Sequence, residues 1–208
     1  PPPPPPPPPA RTPEGTPMLP VDTQEIRDAF RGRTIALGVT GGIAAYKVVE
    51  LASRWTQAGA HVRALLTPAA TKFVTPLTFA SVTRQPALSE IWRTDLESGR
   101  PEHIDSTIEA DAFVVAPASA DFIARMAGGL GGDIVAVSWL AFEGPTIVAP
   151  AMNDRMWRHP SVARNLATLR EWGVDVVEPG SGHLACGSVG PGRLADLERI
   201  EAALLARL

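Results

Sequence analysis

From Thr34 onward the chain alternates short apolar runs, rich in β-branched residues, with longer segments of helical period. The runs at 34–40 (TIALGVT), 62–67 (VRALLT), 112–118 (AFVVAPA), 145–150 (PTIVAP) and 174–178 (VDVVE) are aliphatic nearly throughout. Strands covered on both faces have that composition, because neither face meets water. Helices are expected at 42–58, 69–83, 120–130, 131–142, 160–172 and 195–207. This alternation is the pattern of parallel β-α-β units, and it predicts an α/β fold: a three-layer, doubly wound parallel sheet of flavodoxin or Rossmann type. The segment from Gln85 to Arg100, with Pro86 and a mixed polar run, reads as an excursion from the sheet. Ligands of such sheets bind beyond the C-terminal ends of the strands, so the chemistry is sought there.

The 208 residues suffice for one domain with a real core. Twelve of the 22 prolines lie in the first twenty residues, with Pro1 to Pro9 unbroken. Such a run adopts extended polyproline II with nothing to bury, so residues 1–20 read as a disordered tail, or else as a ligand for a proline-binding partner. Val21 to Phe30 can form a short helix, capped by Asp22 or Thr23 and carrying Ile26 and Phe30 on one face. Residues 21–32 are therefore read as a helical extension and 33–208 as the functional domain. With 19 basic and 22 acidic residues the net charge is −3, which argues against nucleic-acid or anionic-membrane partners. No apolar run reaches membrane-spanning length, and the N-terminus lacks the pattern of a signal peptide. One cysteine excludes an internal disulfide framework and any multi-cysteine metal site, and no metal is expected. A reducing, cytoplasmic location follows as the expectation.

The first strand ends in Gly38-Val39-Thr40-Gly41-Gly42-Ile43-Ala44. Glycines at a strand-to-helix turn let a phosphate approach the free N–H groups of the helix start. The turn matches neither the Walker loop nor the three-glycine dinucleotide fingerprint, and a tight turn without ligand would look similar. The third strand ends in Ala116-Pro117-Ala118-Ser119-Ala120-Asp121, where Ser119 or Asp121 could simply be a helix cap. Small residues beside a glycine turn also leave room for a flat ring, and a mononucleotide such as FMN fits that space. The fourth strand runs into Pro150-Ala151-Met152-Asn153-Asp154-Arg155-Met156-Trp157. There Asn153 offers an amide that can orient a carboxylate or carbonyl, and Met152 and Met156 supply adaptable apolar surface or ordinary core. His103 follows the irregular segment, while His61, His159 and His183 have no better context. Cys186 lies in a glycine-rich stretch, Ser181 to Arg193, that is expected to hold no regular element and to act as a movable lid.

Together these residues resemble the homo-oligomeric flavin-containing cysteine decarboxylases, a family that includes phosphopantothenoylcysteine decarboxylase and the enzymes that decarboxylate C-terminal cysteines of lantibiotic-type peptides. The resemblance spans about residues 33 to 203 and rests on PAMNDRMW at 150–157, His103-Ile104, PASA at 117–120 and ACGSVGPGR at 185–193. It implies FMN held at Gly41, Gly42, Ile43, Thr67, Phe73, Ser119, Ala120 and Ala151. It likewise implies His103 as the active-site base, Asn153 as the binder of the substrate carboxylate, Met152 and Met156 beside it, and Cys186 as a proton donor on the flap. Homotrimers or homododecamers, with active sites between subunits, are implied too.

Loss of CO2 from an N-acylated cysteine would leave an unstabilised carbanion, and the acylated nitrogen cannot form an imine to a pyridoxal sink. Oxidation of the CH2–SH group to a thioaldehyde provides the alternative, with an enethiolate as product. In the pantetheine branch the reduced flavin would then return hydride to the enethiol while Cys186 supplies a proton. Cys186 favours phosphopantothenoylcysteine as substrate. Gly132, where the family usually has asparagine or aspartate, speaks for a pocket remodelled for a peptide. A noncatalytic FMN-binding regulatory subunit, and a flavin prenyltransferase or electron carrier, are the readings of other classes.

Overall fold

The computed structural model describes residues 23–91, 107, 109–183, 187 and 189–208. The proline-rich segment, His103 and Cys186 lie outside them. The described elements are α1 (Thr23–Phe30), β1 (Thr34–Val39), α2 (Ala45–Gln57), β2 (His61–Leu66), a 3-10 turn (Ala70–Lys72), α3 (Pro76–Thr83) and β3 (Ala112–Ala118). They continue with α4 (Ala120–Ala127), α5 (Ile134–Leu140), β4 (Thr146–Pro150), α6 (Asp154–Trp157), α7 (Pro160–Glu171), β5 (Asp175–Val176), β6 (Gly180–His183), β7 (Val189–Arg193) and α8 (Leu197–Leu205).

Five strands form one parallel sheet in the order β2-β1-β3-β4-β5. Its faces are read directly from the period-two alternation of the strands. Ile35, Leu37 and Val39 of β1, Val114 and Ala116 of β3, and Ile147 and Ala149 of β4 pack with α2 (Val48, Leu51, Trp55) and α8 (Ile200, Leu204). Ala36, Phe113, Val115 and Val148 face the other way, onto α4 (Phe122, Ile123), α5 (Ile134, Val135) and α7 (Leu166, Leu169). A three-layer sandwich results, and the aliphatic runs are explained by burial on both sides. Helix α1 adds Phe30, which stacks on Trp55 with ring centroids 5.9 Å apart.

Several elements differ from expectation. The helix expected at 42–58 starts only at Ala45, leaving the glycine turn as a loop. The helix expected at 69–83 breaks into a 3-10 turn and α3, because Pro76 lacks an N–H and drives Thr75 into an extended conformation, from which it caps Thr78. Beside β2, Leu88 bridges to Leu65, so part of the presumed excursion touches the sheet edge. The fifth strand is shorter than expected, only Asp175–Val176. The glycine-rich stretch expected to hold no regular element contains the antiparallel hairpin β6-β7. A ladder is made by backbone groups, which glycine supplies as well as any residue.

Candidate active site

The order of strands reverses between β1 and β3, and one side chain ties their ends together. Thr40, 1% exposed, donates from Oγ1 to the Pro117 carbonyl (2.6 Å) and accepts from the Ser119 N–H (2.9 Å). The chain then enters the Gly41-Gly42 turn. A Cβ on Gly41 would stand 2.5 Å from the Ala69 Cβ, so the approach of the loop after β2 demands glycine there. A Cβ on Gly42 would meet nothing within 4 Å. Helix α2 begins without a side-chain cap at Ala44; the Ala45 and Lys47 N–H groups donate to the Gly42 and Ala44 carbonyls (3.0 and 3.1 Å), and the positive end of the helix dipole lies at the turn, where it favours an anion. Ser119 opens α4 and accepts from the Phe122 N–H (3.2 Å), so the capping role is real. Thr67, buried, donates its N–H to the Val39 carbonyl (3.0 Å), and its Oγ1 accepts from Ala70 (3.1 Å).

Beyond β4 the Ala151 N–H donates to Ala118 O (3.0 Å) and the Met152 N–H to Gly192 O (2.9 Å), which fixes the exit against β3 on one side and β7 on the other. Asn153 is the N-cap of α6, its Oδ1 accepting from the Arg155 N–H (2.8 Å). That bond sets the amide orientation, with Nδ2 as its donor end, the kind of group a carboxylate requires.

These elements enclose a cavity of about 450 Å³, lined by the glycine turn and start of α2 (Gly41 to Ala44, Tyr46, Lys47), by Ser119 and Ala120, by Ala151 to Asn153 with Met156, and by His183 and Gly192 to Leu194 of the hairpin region. A second cavity of about 240 Å³ shares Gly41 and Ser119 with it and runs to Thr40, Thr67, Arg125 and Asp133. Asp133 is buried; it caps Ala136 (3.0 Å) and pairs with Arg125 (3.4 Å), which also holds Asp121 (2.9 Å). A Cβ at Gly132 would meet only Arg125 Nη1, at 3.6 Å. The glycine therefore leaves open a space that a polar side chain would occupy.

Gly41, Gly42, Ile43, Ser119, Ala120, Ala151, Met152, Asn153 and Met156 thus converge on the larger cavity, and Thr67 on the smaller. Phe73 lines neither. It closes the 3-10 turn and is 50% exposed. Tyr46, Lys47, His183, Arg193 and Leu194 were missed by sequence reasoning. The first two could have been found by starting α2 after the glycine turn instead of within it. The others enter only because the hairpin folds back on the exit of β4.

The larger cavity is of the size that encloses small-molecule ligands. Apolar walls from Ile43, Ala44, Ala120, Ala151 and Leu194 suit a planar ring. The uncapped helix start and the Thr67 and Ser119 hydroxyls suit a phosphate and a polyol, so the residues present fit a flavin mononucleotide.

A family model described as Flavoprotein matches residues 24–208. The Coenzyme A biosynthesis bifunctional protein CoaBC of Haemophilus influenzae is 42% identical over 175 residues, covering 84% of this chain and 44% of that protein. Its counterpart in Bacillus subtilis is 42% identical over 174 residues, covering 82% and 42%. The chain therefore spans less than half the length of these relatives. Among solved structures, the FMN-dependent cysteine decarboxylase SpaF has a TM-score of 0.74 at 32% identity, covering 86% of this chain and 98% of that one. A PPC decarboxylase mutant complexed with pantothenoylaminoethenethiol has a TM-score of 0.75 at 30% identity, covering 84% and 97%. By sequence, by strand order and by the residues gathered at its strand ends, the chain belongs to the flavoprotein family, among the flavin-containing cysteine decarboxylases.

Proposed function

We propose that the chain is an FMN-dependent decarboxylase of a substrate ending in cysteine, and that the substrate is phosphopantothenoylcysteine, in coenzyme A biosynthesis. The observation that carries this is one cavity running from an uncapped glycine turn to Asn153, so that a nucleotide site and a carboxylate binder share a single space. The relatives named for coenzyme A biosynthesis support the choice of substrate.

Gly41, Gly42 and Ile43, with Thr67, Ser119, Ala120 and Ala151, would hold the cofactor; Phe73 would reach it only by turning inward from its exposed position. FMN, when bound, supplies a two-electron acceptor, so that the substrate CH2–SH carbon can become a thioaldehyde and CO2 can leave toward a C=S group. Asn153 donates from Nδ2 to the substrate carboxylate and fixes the breaking bond relative to the forming π system. Met152 and Met156 supply apolar surface to the same wall. His103 takes a proton during oxidation, and Cys186 returns one to the enethiol, for whose reduction the reduced cofactor would supply the hydride. Both roles rest on the motif resemblance, since neither residue is among those described.

Ile43, Tyr46 and Met156 line the cavity yet are 58%, 59% and 46% exposed, an apolar rim that a second copy in a homotrimer or homododecamer would cover. No described helix is long and apolar enough to cross a membrane, and a cytoplasmic site of action is part of the proposal.

The peptide alternative is favoured by one observation, the space left open beside Gly132. Mass spectrometry after incubation with phosphopantothenoylcysteine and with cysteine-terminated peptides separates the readings. Loss of CO2 alone with phosphopantetheine formed supports the first, and loss of CO2 with two hydrogens from a peptide supports the second. No mass change in either, with flavin bound, sinks both and leaves a regulatory subunit. His103→Asn should keep the yellow colour and lose turnover; full activity in that variant would reject the base.

A further inference from the structure

The larger cavity is lined, among the described residues, by two cationic side chains and no carboxylate. Lys47 stands in the first turn of α2, beside the glycine turn. Arg193, at the end of β7, lines the same cavity. Its neighbour Gly192 lies so near the exit of β4 that an added Cβ would come within 2.4 Å of the Met152 carbonyl oxygen. The Arg193 guanidinium is laid along the glycines of β6: a Cβ on Gly180 would be 3.6 Å from Nε and 3.8 Å from Nη2, and one on Gly182 would be 3.9 Å from Nη1. Nη2 donates to Asp196 (2.9 Å), whereas Nε is buried without a partner. An arginine on an open surface would swing to water and satisfy every N–H. This one is pinned beside Asn153's segment at the cost of an unmade hydrogen bond, a cost that needs an explanation. Its side chain is still 41% exposed and Arg193 lines the cavity, with Nη1 the terminal nitrogen that Asp196 does not take.

We infer that Arg193 binds an oxyanion of the substrate, either its phosphate monoester or its α-carboxylate, while Lys47 and the start of α2 serve the phosphate of the cofactor. The planar guanidinium suits an oxyanion held in a fixed orientation, as an ammonium does not. The inference rests on the functional reading above only for the nature of the substrate.

The test uses the FMN-loaded chain and two probes followed by calorimetry: phosphopantetheine, which has the phosphate and no carboxylate, and N-acetylcysteine, which has the carboxylate and no phosphate. Arg193→Gln should weaken one of them about tenfold or more, the scale of a lost charge-assisted hydrogen bond, with FMN content retained. Arg193→Met, which keeps the aliphatic stem, decides in the same titrations if the glutamine variant fails to fold. Weakening of the first probe identifies the phosphate, and of the second the carboxylate. The inference is overturned by unchanged affinity for both, by a wild-type chain that binds neither, or by loss of FMN with probe affinity intact. A chain that binds a probe through Arg193 but decarboxylates no cysteine substrate upholds the anion site and sinks the functional reading. Turnover of phosphopantothenoylcysteine with both affinities indifferent to Arg193 does the reverse.

Discussion

Gly41 and Gly42 are adjacent in one turn, neither has a positive φ, and alanine should have opposite effects at the two. At Gly41 the new Cβ would sit 2.5 Å from the Ala69 Cβ and 3.2 Å from the Ala69 carbonyl carbon. Carbon atoms prefer about 3.5–4.0 Å, so the loop after β2 must retreat by roughly 1 Å from a place fixed by the Thr67 hydrogen bonds. Overpacking of this kind costs about 1–3 kcal/mol. In a domain of this size that is a fall in melting temperature of about 4–8 °C for the middle of the range. At Gly42 nothing lies within 4 Å, so Gly42→Ala should leave the empty protein as stable as before or stabilise it by about 0.4–1 kcal/mol. The methyl would instead stand where a phosphate approaches the start of α2. A tenfold loss of FMN affinity there corresponds to about 1.4 kcal/mol. Urea unfolding of the flavin-free chain measures the first effect, and quenching of flavin fluorescence the second. A Gly41→Ala variant as stable as wild type would show that the close approach is not a constraint. Undiminished FMN affinity in Gly42→Ala would remove the glycine turn from the cofactor site.

Thr40→Val conserves shape but deletes the hydroxyl that joins β1 to β3, and should cost about 2 kcal/mol in chemical denaturation; an unchanged midpoint would deny the tie. Gly192→Ala combines a φ of +126° with a Cβ 2.4 Å from Met152 O, so it should break the Met152 N–H to Gly192 O bond and speed hydrogen exchange at Met152. Protection equal to wild type would argue otherwise. On α8, Glu201 and Glu198 should show opposite pH effects. Burial, then the charge of Glu198, raises the Glu201 pKa, so its contribution is present at low pH and is lost as pH rises through that raised value. Glu201→Gln should therefore gain stability over wild type as pH climbs above the ordinary glutamate range. The Arg54 hydrogen bond (2.8 Å) lowers the Glu198 pKa, so its contribution is present above the ordinary value and lost as pH falls through the lowered one. Glu198→Gln should lose stability at neutral pH and converge with wild type in acid. Parallel stability-against-pH curves for the two variants would refute the assignment.

The central strands were legible because β1, β3 and β4 are buried on both faces, which writes an unbroken aliphatic run into the sequence. The ends of elements were less so. Pro76 announced a break that helical periodicity concealed, and β5 keeps only two paired residues although its apolar run is longer. The hairpin was hidden by its glycines, which carry no strand propensity although their backbone groups pair like any others. The glycine turn and the Pro150 to Trp157 segment could be read because a local motif fixes their geometry. Lys47 and Arg193 could not, since their position depends on which helical turn and which strand end face the same space. Phe73 shows the converse: a position carried over from a family pattern that here lies outside both cavities.

All five strands of the sheet point one way, so the loops bearing Gly41, Thr67, Ser119 and Asn153 crowd a single rim. Leu208 lies at the other rim, where Arg33, just ahead of β1, donates from Nη2 to its carbonyl (2.9 Å). Whatever meets the molecule at Leu208 therefore lies beneath its floor, with the full length of the strands between it and the cavities. A unit standing on that side of the sheet would leave the mouth of the larger cavity uncrowded.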